Sequence, residues 1–190
     1  MTTKSELKNF FRILKWTDFV KVNNSQNPFD AEIKTSFSYI LKPLYDITGT
    51  DVRVKDNLIV TIELGKNSWV KAEVFNKPVE YQDKLLHHEY GHYRITALCA
   101  RDFFNDVKIL MTKTFKSIQI CEAEFKKIEK IYSQTNLKSV QDKYEIETFH
   151  GLADTLQKKW DDYFVQAMST FREQESDGRR YPVTLFNILK

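Results

Sequence analysis

His88-Glu89-Tyr90-Gly91-His92 places two imidazoles and a carboxylate within five residues. On a helix, positions i and i+4 lie one above the other, so His88 and His92 can direct ring nitrogens at one metal ion. Glu89 follows the first histidine and can reach a water in an open coordination position without being a ligand itself. A metal there lowers the pKa of its water to about 7, and the carboxylate takes the proton as that water attacks a carbonyl. The pattern therefore has the chemistry of a hydrolytic zinc site.

The flanks suit a buried helix. From Val79 to Met111 there is no proline, and the only glycine is Gly91, inside the motif. Leu85, Leu86, Ile95, Leu98, Phe103, Val107 and Leu110 supply the apolar content of a helix packed in a core. Gly91 costs about 1 kcal/mol of helix propensity relative to alanine, which implies that something large approaches the helix there.

A catalytic zinc site commonly takes three protein ligands, and the pentapeptide supplies two. Outside the motif region the one remaining histidine is His150, in Tyr144-Glu-Ile-Glu-Thr-Phe-His-Gly151. Read as helix, Glu147 and His150 share a face, and both are candidate ligands. Asp154, four residues past His150, is placed to orient an imidazole from behind or to be an alternative ligand. The helix turns His87 about 100° away from its neighbour, which makes it a rim or supporting residue.

The chain as a whole bounds the function. Its 190 residues, 42% hydrophobic and 14% aromatic, suit a single domain over 1–190 with a sizeable core. The formal charge of +3 is small, and lysines are interleaved with acids. Nucleic-acid and anionic-membrane partners gain no support from that pattern. No apolar run reaches the roughly 18 residues of a membrane span. The start lacks the apolar stretch of a secretory signal, so the expected location is the cytoplasm, or outside it if a signal has been removed. Cys99 and Cys121 read as separate thiols rather than a bridge.

Along the chain, a short helix is expected at Ser5 to Leu14, then a loop rich in asparagine up to Pro28. Extended segments follow at Glu32 to Leu41, Asn57 to Gly65 and Trp69 to Phe75, with Asp56-Asn57 and Gly65-Lys66-Asn67 as tight turns between antiparallel neighbours. The strand-rich part covers about 30–76. The helical part covers about 79–173: the motif helix, a helix from Thr114 to Tyr132, and one from Asp142 to Glu173. The last carries a packing stripe of Leu152, Leu156, Trp160, Tyr163, Phe164, Ala167 and Phe171. The Asp177-Gly178 turn leads to a tail, 177–190, whose apolar residues are expected to dock on the domain. Strands followed by helices define an α+β class, with an antiparallel-rich sheet ahead of the motif helix and further long helices.

Several segments together resemble the bacterial family of predicted secreted zinc-dependent proteases. Leu14-Lys-Trp-Thr-Asp-Phe19 is similar to its N-terminal Leu-Thr-Trp-x-Asp-Phe element, and Ser68-Trp-Val-Lys71 to a segment ahead of its catalytic helix. Leu85 to Arg101 resembles the helix itself. Tyr144 to Gly151 resembles a downstream Tyr-Asp-x-x-Thr-x-His-Gly signature, with Glu145 where the family carries aspartate. The resemblance spans about residues 14 to 165. It implies a zincin-like peptidase fold with His150 as the third ligand.

The expectation is thus a zinc-dependent metallopeptidase acting on a peptide or protein. His88, His92 and His150 hold zinc, and Glu89 acts as general base. Tyr144 hydrogen-bonds the developing oxyanion, and Trp69 to Phe75 is an edge strand that pairs with the substrate. The alternative is a non-catalytic module of zincin shape whose zinc only fixes the fold. A carboxylate-rich iron site using Glu147 and His150 is disfavoured by the strand-rich first half. Oligomeric state and cleavage specificity are left open by the sequence.

Overall fold

The computed structural model describes residues 5–23, 26–41, 45–49, 51–55, 57–132 and 137–174, and it is a mixed α+β fold of small sheets and four helices. The expected turn at Asp177-Gly178 and the tail lie outside the described residues.

Three short sheets form the first half. One has the order β1 (Glu6–Lys8), β7 (Leu58–Leu64), β4 (Thr35–Leu41). β7 pairs antiparallel with β4 and parallel with β1. Leu58, Val60 and Ile62 are fully buried, as their alternation with Ile59, Thr61 and Glu63 predicts. The second sheet has the order β2 (Val20–Val22), β8 (Trp69–Lys71), β3 (Ala31–Glu32). The third pairs β5 (Tyr45–Thr48) with β6 (Asp51–Val54).

Several expectations change. Glu6–Lys8 is a strand, not the first turns of a helix, because its backbone adds to the edge of β7. Gly65-Lys66-Asn67 does not join a hairpin: β7 and β8 belong to different sheets. Trp69–Lys71 is the central strand of its sheet, paired on both sides, and Ala72–Asn76 coils into a 3-10 helix. It therefore has no free edge for a substrate. The outer strands of this sheet are β2 and β3, each of which among the described residues pairs only with β8.

Helix α1 runs from Val79 to Met111 and is the axis of the molecule. It packs on β7 and β4 and carries α2 (Ile118–Lys130), α3 (Leu137–Thr148) and α4 (Asp154–Gln174) against it. Ser117, whose side chain accepts the Ile120 N–H at 3.3 Å, caps α2 and starts it later than its apolar pattern predicts. Arg101 is fully buried: Nε and Nη2 donate to Asp102 Oδ1 at 3.0 and 2.7 Å, and Nη1 donates to the Ala167 carbonyl at 2.7 Å, tying α4 to α1.

The long third helix expected from the sequence is two helices. Phe149, His150 and Gly151 have φ of 49°, 55° and 81°, a left-handed turn that ends α3 and redirects the chain into α4. Trp160, Phe164 and Ala167 are buried as expected, but Leu152 and Leu156 precede or begin the new helix and are exposed. Cys99 and Cys121 are both buried and free. No helix among the described residues is long and apolar enough to cross a membrane.

Candidate metal centre

The buried side of α1's third and fourth turns faces α3 and the β3–β4 junction. His88 and His92 project there, at 2% exposure for His88, with ring centroids 4.9 Å apart. Opposite them stands Glu145 of α3. Its Oε2 lies 3.1 Å from His88 Nε2 and 2.8 Å from His92 Nε2. Ligand atoms of His88, His92 and Glu145 all lie within 4.8 Å of one another, so this group could hold a metal ion.

The donor chemistry fits. A ligating imidazole presents one nitrogen to the metal while its other N–H is held by a hydrogen-bond acceptor. His92 Nδ1 meets Gln141 Oε1, and His88 Nδ1 meets Thr148 Oγ1 and Gln157 Oε1, each at 3.4 Å. Thr148 Oγ1 donates to the Tyr144 carbonyl at 2.7 Å, so it is an acceptor toward His88. These contacts hold Nδ1 of each ring and direct both Nε2 atoms at Glu145's side of the cavity.

Burial and pairing act against each other in the cluster. Burial works against ionisation of Glu145, but hydrogen bonds from His88 and His92 outweigh it and hold the carboxyl well below its usual range. Burial opposes charge on His92 too, yet Glu145 and Glu89 raise its pKa. Glu89 is pushed up by burial, against the pull of His92, His88 and the Ile33 N–H. That N–H donates to Glu89 Oε2 at 2.9 Å, so the carboxylate is anchored to the link between β3 and β4.

The cluster lies in a cleft of about 650 Å³ whose walls include Phe29 to Thr35 on one side and Gln141, Glu145, His150 and Leu152 on the other. Asp30 also lines the cleft. It accepts from Lys77 Nζ at 2.6 Å, Tyr81 Oη at 2.5 Å and Lys71 Nζ at 3.3 Å, joining β3 to the first turn of α1.

The other expected site residues are distributed differently. His150 lies beside the candidate ligand group and not in it: its Nδ1 bonds Glu145 Oε1. Glu147 faces away, accepting from Trp160 Nε1 at 2.9 Å. Asp154 is an exposed partner of Lys84 at 3.0 Å. His87 pairs with Asp161 at 2.8 Å on the outer side. Tyr144 is fully buried behind α1, its ring stacked on His88 at 5.0 Å and its hydroxyl within 3.1 Å of the His88 carbonyl and 3.0 Å of Gln157 Oε1. It does not line the cleft, and the oxyanion role expected of it does not fit that position. What approaches Gly91 is this phenol: a Cβ there would stand 2.0 Å from Tyr144 Oη.

Glu145, Gln141, Gln157 and the Ile33 N–H are the residues that the sequence reading left without a role. Gln141 and Glu145 are four apart on α3, the same spacing as the motif histidines, and that was the available signal. No family model matches the chain, and no curated protein or solved structure matches it.

Proposed function

We propose that the chain is a zinc-dependent metallopeptidase of zincin-like fold, with His88, His92 and Glu145 as the protein ligands. The observation that carries this reading is the convergence of both Nε2 atoms on Glu145 Oε2, beside a buried Glu89, in an open cleft. Two imidazoles and a carboxylate are a zinc donor set. A purely structural site has no use for a general base, which favours catalysis over a metal that only fixes the fold.

When bound, zinc supplies Lewis acidity to the scissile carbonyl and acidifies water. The chain's own groups do the rest. Ile33 holds Glu89 Oε2, so proton transfer falls to Oε1 of the same carboxylate. Gln141, Gln157 and Thr148 keep the imidazoles in one tautomer. β3, with a strand neighbour on one side only among the described residues, is the edge along which an extended peptide can lie beside the metal ligands.

The test is elemental analysis of the purified chain, followed by mass spectrometry of a peptide library incubated with it. About one zinc per chain is expected, with cleavage that Glu89→Gln lowers by roughly 100-fold or more while zinc stays bound. A folded chain that takes up no zinc from excess, or cleavage indifferent to Glu89→Gln, would overturn the reading.

A further inference from the structure

Glu145 divides its oxygens: Oε2 faces His88 and His92, and Oε1 is engaged by His150 Nδ1. We propose that His150 is a positioning residue, whose Nδ1–H holds Oε1 and so presents Oε2 alone to a metal bound by the motif histidines. The inference rests on the metal-centre reading of the cluster.

Helical geometry alone does not make this contact. Five residues further along a helix, a side chain points about 140° away from its starting face. His150 is five residues after Glu145 and comes back to it only because α3 stops at Thr148 and the chain enters the left-handed region. Phe149 and His150 are not glycines, and φ of 49° and 55° puts them in the left-handed region that side chains disfavour. Backbone bonds close the turn, from Leu152 N–H to the Phe149 carbonyl at 3.1 Å and from Ala153 N–H to the Thr148 carbonyl at 2.9 Å.

Both sides of the turn are fitted to the site. A Cβ on Gly151 would lie 2.9 Å from His88 Cβ, so the turn is seated directly on the first motif histidine. From the sheet side, the Phe29 ring lies over the His150 imidazole with centroids 4.4 Å apart and planes inclined by 37°. The half-exposed imidazole is covered on one side by Phe29, and its Nδ1 is spent on the carboxylate. A carboxylate with both oxygens free can rotate or chelate, and one with Oε1 held offers a single donor in a fixed place. Supporting bonds of this kind typically contribute 10- to 100-fold to metal affinity.

The experiment combines zinc titration against a chromophoric chelator with X-ray absorption at the zinc edge, on the full chain, His150→Ala and His150→Asn. The wild-type spectrum should count two imidazoles. His150→Ala should keep one zinc and two imidazoles with affinity reduced 10- to 100-fold. His150→Asn should recover most of the loss, because its amide N–H replaces Nδ1–H and asparagine tolerates positive φ. Three imidazoles in the wild type would make His150 a ligand and overturn the proposal, whether or not the variants fold. Unchanged affinity in a folded His150→Ala would also overturn it while leaving the metal centre standing. A folded wild type without zinc would remove both readings together.

Discussion

The phenol of Tyr144 occupies the space that a side chain at position 91 would need: a Cβ on Gly91 would fall 2.0 Å from Tyr144 Oη and 2.4 Å from Cζ. Gly91→Ala must push Tyr144 out of a fully buried position, and His88 is stacked on the other side of that ring. Overpacking costs of about 1–3 kcal/mol outweigh the roughly 1 kcal/mol of helix propensity that alanine gains. Urea unfolding should show net destabilisation, and a more stable variant would refute the packing argument.

Tyr144→Phe separates support from catalysis. The hydroxyl contacts Gln157 and the His88 carbonyl and does not reach the cleft. Its loss should cost about 1–2 kcal/mol of stability, as for one buried hydrogen bond. Turnover per bound zinc should change by less than threefold. A loss of 100-fold at full zinc occupancy would return Tyr144 to the reacting atoms.

Two glycines with positive φ make a controlled pair. Gly49 has φ of 62° with open space around its missing Cβ, whereas Gly151 has φ of 81° and His88 Cβ within 2.9 Å. Gly49→Ala should cost about 1 kcal/mol, the backbone term alone. Gly151→Ala should cost more and should weaken zinc binding as well, which Gly49→Ala should not. Equal effects in denaturant and chelator titrations would mean that the turn is not seated on His88.

Asp30 gives a pH dependence with a defined sign. Burial works against its charge, but hydrogen bonds from Lys77, Tyr81 and Lys71 outweigh that and lower its pKa below the ordinary 3.8. A carboxyl with a depressed folded pKa contributes stability that is present above the unfolded value and lost as pH falls through the folded one. The stability difference between the wild type and Asp30→Asn should therefore be flat near neutrality and close below about pH 4. A difference that widens on acidification would contradict the assignment.

Arg101 and Asp102 form a buried ion pair with 0% and 3% exposure. Arg101→Met removes a charged partner of the buried Asp102 carboxylate. Such breaks cost about 3–5 kcal/mol, and the Nη1 bond to the Ala167 carbonyl is lost with it. Thermal unfolding should show one of the largest single-residue losses in the protein.

Legibility in the sequence followed the range of the forces involved. The bounds of α1 and the alternation of β7 were visible because periodicity is a local property of the chain. β1 and β2 were not, since each is a three-residue strand paired in parallel with a partner far along the chain. The break between α3 and α4 carries no proline, and its turn opens on Phe149, a residue that rarely signals a left-handed backbone, ahead of His150 and Gly151. Reading through that break made Glu147 and His150 neighbours on one face and hid Glu145. The motif histidines needed only helical spacing to be found, whereas the third group depended on a tertiary contact between α1 and α3.

The bond from the Ile33 amide to Glu89 makes strand register a condition of competence. β3 is held to β8 by Ala31 opposite Val70 and Glu32 opposite Trp69, and the next residue delivers its N–H to the carboxylate. A slip of one residue would invert the facing of every side chain in β3, turning buried Ala31 outward and charged Glu32 inward. The same slip would offer Glu89 a different amide. Correct threading of this short strand and anchoring of the Glu89 carboxylate are thus one folding event, and a misregistered chain lacks that anchor from the outset.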